Sequence, residues 1–343
     1  MNMYNSIGFP FRFVEEIKKR RKIQSHFALI CEKYGFEEIE IPLICPFKEI
    51  IGHPPLPLRY EDIFRVFQGT LFYNHKQTRG TVRYEGTTPI ASLVSSWGFR
   101  RKTSYSYHYF QEMIRLENCD DCNEKKQKAF FQIGLETFSK KYEHHLEKTI
   151  DVISIIAELF AFLDLKPKIR FSHVSLVEKN LLKNGFDVIQ RKKIVTLLEQ
   201  KDFVKLHFAL SKMKAPREVI KSLLEMAKMA DVPIDEGRKY LKRLQLNRAY
   251  KELETICMGL VERGIDEESL RFDAGIHRDL NFYSGLIFHI DVNGISEVAG
   301  GGDFSKLINH FGVKETIHAV GLAAGYEKLL HASDVKHKVP SLV

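Results

Sequence analysis

The segment AFFQIGLETF, residues 129–138, places three residues suited to a small polar ligand on one side of a predicted strand. Residues two apart in a strand point to the same face, so Gln132, Gly134 and Glu136 share a face. Glu136 can accept hydrogen bonds from an amine, and Gly134 leaves room beside it. The pattern predicts the floor of a polar pocket, although a solvated sheet face with cross-strand charge pairs gives the same spacing.

Two other segments can face the same pocket. On the preceding predicted strand, Arg115 and Glu117 share a face, and a hairpin between the two strands lets them face the same pocket. The segment RYEGTTP places Glu85 and Thr87 before a turn that ends at a proline. Taken alone, that segment has the composition of an ordinary turn.

A fourth candidate is the segment HRDLNFYSGLIFHI, residues 277–290. Arg278 precedes a predicted strand whose Phe282 and Tyr283 can form an aromatic wall. Arginine is suited to binding a carboxylate through two parallel hydrogen bonds. A surface arginine beside core aromatic residues is the alternative interpretation.

Metal, redox and phosphate sites are poorly supported. Cys119 and Cys122 lack the further Cys or His pair that a four-ligand zinc site needs, and a charged hairpin loop is not the setting of a redox pair. His144 and His145 are adjacent and point in different directions on a helix. The run 300–302 of three glycines lacks the spacing of a phosphate-binding loop and predicts a tight turn. We expect neither a metal nor a cofactor.

The elements that would position these residues follow from hydrophobic periodicity. The sequence predicts a helix from Ile23 that ends at Gly35, long strands over 105–117 and 129–138, and a helix from Tyr142 to about Leu163. The charged stretch NCDDCNEKKQK between the two strands predicts an exposed hairpin loop. Residues from about 170 to 262 have helical periodicity, strand character returns at 282–290, and a final helical segment ends near Leu330.

This order of elements indicates an α+β fold with an all-helical insertion. We place the first part of the core at 1–168, the insertion at 169–264 and the second part of the core at 265–343. A chain of 343 residues is long enough for roughly two domains.

Composition limits the function classes further. The formal net charge of +8 is a mild basic excess that does not by itself identify a nucleic-acid partner. Five cysteines in a long chain argue against a disulfide scaffold. No signal-peptide core and no run of 18 apolar residues is present, so we expect a cytoplasmic protein that does not span a membrane.

Six segments, in order, resemble the catalytic core of histidyl-tRNA synthetase, a class II aminoacyl-tRNA synthetase. RYEGT at 83–87 resembles the family's LRPEGT, with Tyr84 in place of proline, and IRLE at 114–117 resembles the FRxE of motif 2. The others are FFQIGLE at 130–136, RDLNFYSGLIF at 278–288, AGGGDFSKL, and VGLAAGYEKLL, which is similar to motif 3. The resemblance implies an antiparallel class II sheet with flanking helices.

The chain departs from the synthetase pattern where ATP is bound. Lys328 stands at the motif 3 arginine, and Asp303 and Ser305 stand at the Arg and Asp of the family's GGRYD segment. The loop after Glu117 is longer and reads NCDDCNEKKQK instead of carrying paired arginines. Only 13 residues follow Leu330, whereas an anticodon-binding domain needs at least about 50, so we expect no such domain.

These departures make the chain similar to the regulatory subunits of ATP phosphoribosyltransferase, which acts first in histidine biosynthesis. That resemblance implies a protein without catalytic activity that supports a short-form catalytic subunit and contributes to feedback inhibition by histidine. It also implies a homodimer within a larger hetero-oligomer, because class II cores commonly pair.

The resemblance also assigns residues to a histidine pocket. Those that match it are Glu85, Thr87, Arg115, Gln132, Glu136, Arg278 and Tyr283, and Phe282 matches a tyrosine whose hydroxyl it lacks. Two alternatives remain open. One is a histidyl-tRNA synthetase-like enzyme that activates histidine with ATP, which the retained Arg115 and Arg278 favour. The other is a nucleic-acid-binding module, which would need interleaved aromatic and basic residues that the sequence does not contain.

Overall fold

A computed structural model describes residues 8–46, 65–67, 78–97, 102–115, 127–177, 179, 181, 183–200, 202–276 and 282–333. The elements before the insertion are α1 Val14–Lys33, β1 Glu37–Glu38, β2 Ile44–Pro46, β3 Arg65–Phe67, β4 Thr78–Val82, α2 Thr87–Trp97, β5 Ser104–Ile114, β6 Ala129–Ser139, α3 Tyr142–Phe162 and β7 Pro167–His173. The helical segment that follows contains α4 Val174–Val177, α5 Val188–Glu199, α6 Phe203–Lys212, α7 Arg217–Lys228, β8 Val232–Pro233, α8 Ile234–Arg243 and α9 Asn247–Glu262. The chain continues with the 3-10 turn Glu267–Ser269, β9 Leu270–Phe272, β10 Leu286–Val292, β11 Ile295–Asp303, α10 Ser305–His310, β12 His318–Gly325 and α11 Tyr326–Ala332.

A nine-stranded sheet forms the centre of the molecule, in the order β1-β5-β6-β12-β11-β10-β7-β9-β8. The neighbouring strands from β5 to β7 all pair antiparallel, whereas β1 pairs parallel with β5 and β7 pairs parallel with β9. Strands β2, β4 and β3 form a separate small sheet. The predicted α+β architecture with an antiparallel sheet is confirmed.

Local periodicity predicts most of the elements around the sheet correctly. Helix α1 buries Ile23, Phe27 and Ile30 at helical spacing, and Gly35, with φ 72°, follows its end. The predicted hairpin strands are β5 and β6, which pair over eleven residues from Ser104–Ser139 to Ile114–Ala129. The loop between them, which includes Cys119 and Cys122, lies outside the described residues.

The helical segment begins at Val174, later than the predicted boundary at 169. Residues 167–173 instead pair with β10 and β9, so they belong to the sheet. Leu206 and Leu223 of this segment share one apolar cluster with Ile153 of α3 and Ile169 of β7. The segment therefore packs on the sheet through a continuous core, and its status as a separate folding unit stays a prediction.

Three local predictions are wrong. The glycine run 300–302 is part of β11 instead of a tight turn. Glycine is needed at 301 because a Cβ there would overlap the backbone of the neighbouring strand at Gly321. Residues 318–325 of the predicted final helix form β12. The predicted turn at RYEGTTP is the start of α2, where a proline is tolerated in the first turn.

Strand character predicted from Phe282 begins at Leu286. No helix among the described residues has both the length and the apolar composition to cross a bilayer.

Candidate ligand-binding site

A cavity of about 860 Å³ lies over the middle of the large sheet. Six of the eight residues predicted for the pocket line it, namely Glu85, Thr87, Arg115, Gln132, Phe282 and Tyr283. Glu136 lies directly behind the lining, and Arg278 is outside the described residues. The structure thus brings together side chains from α2, β5, β6 and the segment before β10.

The floor of the cavity has almost no side chains at its centre. In register across the sheet, Ala323 of β12 lies opposite Gly300 of β11, and Gly300 lies opposite His289 of β10, whereas the space beside Gly134 of β6 is filled by the Tyr109 ring and not left open as predicted. Three strand spacings separate β6 from β10, a span of about 14 Å. The small residues leave a trough along the floor of the cavity. We call the part of the cavity over β6 the β6 end and the part over β10 the β10 end.

Glu85 holds the start of α2. Its two carboxylate oxygens accept hydrogen bonds from the backbone N–H groups of Thr87 and Thr88, at 2.7 and 2.9 Å. A carboxylate at this position satisfies two N–H groups that have no partner within the helix and is favoured by the helix dipole. Burial raises the pKa of Glu85, against the opposing effect of these hydrogen bonds. Part of its hydrogen-bonding capacity is therefore already used by the fold.

Glu136 is completely buried at the middle of β6. Its Oε1 accepts a hydrogen bond of 2.5 Å from the Thr87 hydroxyl, while Oε2 has no hydrogen-bond partner among the described residues. Gly321, which lines the cavity, lies against Oε2 so closely that a Cβ there would overlap it. Burial raises the pKa of Glu136 well above its usual value, and the charge of Glu85 adds to the effect. A buried acceptor without a donor is costly, and Oε2 lies next to the cavity-lining Gly321, so it is the buried polar atom of the site that a ligand donor would satisfy.

Tyr109 fixes the position of Gln132. Its ring fills the space beside Gly86 and Gly134, where a Cβ on either glycine would overlap it. Its hydroxyl donates a hydrogen bond of 3.1 Å to Gln132 Oε1. Burial raises the pKa of Tyr109 well above its ordinary value, so the hydroxyl remains a donor. The sequence analysis missed this role, although the pairing of Tyr109 with Gly134 across the predicted hairpin is the signal that could have found it.

Arg115 also lines the β6 end of the cavity. Its Nε donates a hydrogen bond of 2.9 Å to the Tyr84 carbonyl, and its guanidinium carbon lies 4.9 Å from the centre of the Phe130 ring. These contacts orient a cation towards the carboxylates of the site. Phe282 and Tyr283, with ring centres 4.9 Å apart, form the predicted aromatic wall opposite.

The β10 end of the cavity is a network of ion pairs. Arg170 of β7 binds Asp291 through two hydrogen bonds of 2.7 and 3.0 Å and Asp273 through a third of 2.7 Å. Burial alone would lower the pKa of Arg170, but the two aspartates raise it above its ordinary value. Lys168 beside it pairs with Asp231 at 2.9 Å. The sequence analysis missed this network because its members come from strands about a hundred residues apart.

Asp303 lies behind the aromatic wall, at the position where the resemblance expects an arginine. Its Oδ1 accepts hydrogen bonds from the Ser284 and Ser305 hydroxyls, both at 2.6 Å, and His145 Nε2 lies 3.4 Å from its Oδ2. Burial alone would raise the pKa of Asp303, but these partners hold it well below its usual value. The charge change relative to the synthetase pattern is thus accommodated by two serines and a histidine.

Lys328, at the motif 3 arginine position, donates a hydrogen bond of 3.2 Å to the carbonyl of Glu297.

No group of three or more His, Cys, Asp and Glu side chains in the described part of the chain could hold a metal ion.

Comparisons with known proteins show what the chain is similar to. The model of the histidyl-tRNA synthetase family matches residues 8–329. The histidine–tRNA ligase of Methanocaldococcus jannaschii is 24% identical over 322 residues, covering 92% of this chain and 72% of the ligase. The ATP phosphoribosyltransferase regulatory subunit of Carboxydothermus hydrogenoformans is 25% identical over 328 residues, covering 92% of each. A chain of the ATP phosphoribosyl transferase (HisG:HisZ) complex from Thermotoga maritima has the same fold, with a TM-score of 0.62, 17% identity, and coverage of 89% of this chain and 97% of that chain.

Proposed function

The chain belongs to the histidyl-tRNA synthetase family, and we propose that it is the regulatory subunit of ATP phosphoribosyltransferase, without catalytic activity of its own. In this role it supports a short-form catalytic subunit in the first step of histidine biosynthesis and contributes to feedback inhibition by histidine. The proposal includes a homodimer within a larger hetero-oligomer and a cytoplasmic location.

The similarities support this role. The regulatory subunit of Carboxydothermus hydrogenoformans is matched over 92% of its length, and the Thermotoga maritima chain, matched over 97%, belongs to a complex of the same transferase. The histidine–tRNA ligase similarity is of equal strength in identity and covers 72% of the ligase. Sequence identity alone does not separate the regulatory role from the ligase role. We therefore base the choice between them on the charge distribution in the cavity.

The observation that carries the proposal is the charge state of the cavity. Binding and activating ATP requires cations that face the phosphates. Three Lys and Arg side chains line the described cavity: Arg170 is held by two aspartates, Lys168 by a third, and Arg115 lies close enough to Glu85 to lower its pKa. Lys328 cannot supply the planar, bidentate contact of an arginine. A cavity whose carboxylates outnumber its cations opposes a triphosphate and favours a cationic or amine-bearing ligand.

The β6 end of the cavity is suited to histidine. Glu136 Oε2 can accept from the amine or an imidazole N–H, and Glu85 and Gln132 lie beside it. Phe282 and Tyr283 cover the ring, and Arg278 is proposed to bind the carboxylate. An amino acid without ring N–H groups leaves the buried acceptor unpaired, which gives selectivity.

Histidine can inhibit only if it binds one state of the assembly better than another. A coupling free energy of about 1–3 kcal/mol changes the relative populations roughly 5- to 150-fold. By linkage, the catalytic subunit must change the affinity of this chain for histidine by the same factor. The reciprocity gives a quantitative test of the regulatory role.

A histidine-activating enzyme remains the second candidate, because Arg115 lines the cavity and could bind a phosphate. The experiment is a calorimetric titration of the protein with histidine, with and without ATP, while histidine-dependent exchange between pyrophosphate and ATP is followed in parallel. We expect histidine binding, no exchange, and restored transferase activity when the short-form catalytic subunit is added. Exchange above background would overturn the proposal in favour of the ligase.

A further inference from the structure

Helix α6 has apolar side chains on two opposite sides. Its inner side is buried in the common core through Leu206, Ala209 and Leu210. At about 3.6 residues per turn, Val204 and Phe208 are one turn apart and lie opposite this buried side. Their exposed fractions are 80% and 71%. We call Val204 and Phe208 the α6 stripe.

A stripe of this kind is unusual on a surface helix. Helices at the surface of a globular protein are normally polar on the side away from the core, and a helix that is apolar on both sides is normally covered on both. On the preceding helix α5, Ile189 is also 81% exposed. Clustered exposed apolar side chains mark interaction surfaces, whereas single ones need no explanation.

The charges around the stripe indicate what covers it. Residues 188–228 contain ten Lys and Arg and four Asp and Glu, a net formal charge of +6 within a chain of +8. Lys205 and Lys212 lie next to one side of the stripe on the same helix and are exposed, and Lys192 and Lys193 are exposed on α5. Lys205 also pairs with Asp202 at 2.7 Å. An apolar centre with a basic rim is complementary to a surface with an apolar centre and an acidic rim.

We infer that the α6 stripe docks a second protein whose contact surface is apolar at its centre and rich in Asp and Glu at its edge. The inference rests on the proposed function, which makes the catalytic subunit of the transferase this partner. A nucleic-acid surface would place Lys and Arg at its centre to meet the phosphates. Here the centre is Val204 and Phe208, and the exposed Lys205 and Lys212 lie to one side of it on the same helix.

The test compares variants of the full chain for binding to the short-form catalytic subunit from the same organism. Phe208→Ser and Val204→Ser should each raise the dissociation constant about tenfold or more, because apolar residues at the centre of an interface carry most of its energy. Met258→Ser on α9, where Met258 is 56% exposed, is the matched control and should leave affinity within about twofold. Circular dichroism and a histidine titration check that each variant is folded.

Lys212→Gln tests the charged rim. It should slow association and weaken its dependence on salt, whereas Lys251→Gln on α9 should not. Unchanged affinity of the Phe208 and Val204 variants, with the wild type binding the catalytic subunit, would overturn this inference and leave the proposed function intact. A wild type that binds no catalytic subunit would overturn both. Binding of unfractionated tRNA that is lost in the stripe variants, or loss of the homo-oligomer alone, would also overturn the inference.

Discussion

Thr87 Oγ1 donates a hydrogen bond of 2.5 Å to Glu136 Oε1, which joins the first residue of α2 to the middle of β6. The same threonine donates its backbone N–H to Glu85. One residue thus orients both carboxylates of the β6 end, and Glu136 Oε2 is left without a hydrogen-bond partner among the described residues. The predictions below separate the contribution of this arrangement to folding from its contribution to binding.

Thr87→Val should weaken histidine binding and destabilise the protein by about 1–3 kcal/mol, because Glu136 then loses its one donor in a buried site. Histidine calorimetry and urea unfolding measure the two effects. Thr149→Val is the matched control, since Thr149 also donates a buried hydrogen bond, to the His145 carbonyl, away from the cavity. The control should lose stability and keep its histidine affinity; an equal loss of affinity in both would contradict the assigned role.

Glu136→Gln should change how stability depends on pH. Burial raises the pKa of Glu136 in the folded protein above its unfolded value. The stability that the protonated group contributes is therefore complete below about pH 4.5 and is lost as the pH rises towards the folded pKa. The variant does not ionise, so its unfolding free energy relative to the wild type should increase from pH 5 to pH 8. Glu147→Gln, at an exposed position on α3, should show no such trend.

Histidine binding should release protons from the wild type. A cation or donor beside Glu136 favours the ionised carboxylate and lowers its pKa. The calorimetric binding enthalpy should therefore vary with the ionisation enthalpy of the buffer in the wild type and much less in Glu136→Gln. That variant should also bind histidine at least roughly 30-fold more weakly, since truncating one side of a buried charged pair costs about 2–5 kcal/mol. Tight binding by the variant would show that Glu136 does not contact the ligand.

Gly321→Ala should disrupt the site, because the added Cβ overlaps Glu136 Oε2 and lies 2.9 Å from the Leu135 carbonyl. We expect a loss of about 1–3 kcal/mol in stability, as for other overpacked positions, together with loss of histidine binding. Gly325→Ala in the same strand is the control, since the nearest atom to its Cβ is 3.8 Å away. Equal behaviour of the two variants would show that the close approach at Gly321 is not a constraint.

Asp303→Asn should destabilise the protein by about 3 kcal/mol at pH 7, because it removes a buried charge held by His145, Ser284 and Ser305. The pKa of Asp303 lies below its unfolded value, so its contribution is present above about pH 4 and is lost as the pH falls further. The difference between variant and wild type should therefore shrink from pH 5 to pH 3. A difference that stays constant over that range would contradict the ionised state of Asp303.

The sequence predicted those elements of the fold in which a pattern of apolar residues repeats every few positions. Helix α1, the β5–β6 hairpin and α3 were found because apolar residues recur in the sequence at helical or strand spacing in each. The same period placed Gln132 and Glu136 on one face of β6. The glycine run in β11 and the strand β12 were missed because their glycines and alanines reflect contact with neighbouring strands, which a local pattern does not contain.

At the β6 end of the site, the sequence by itself determined that Gln132 and Glu136 share a face, since strand geometry requires side chains two apart to point to the same side. Only the tertiary structure decided which hydrogen bonds those side chains make. Among the described residues, Glu136 Oε2 has no hydrogen-bond partner and packs against Gly321, 185 positions away, and Arg170 pairs with Asp291 of β10 and with Asp273, which follows β9. Burial and pairing depend on strand register across the whole sheet, and that register is set by contacts between segments far apart in the chain.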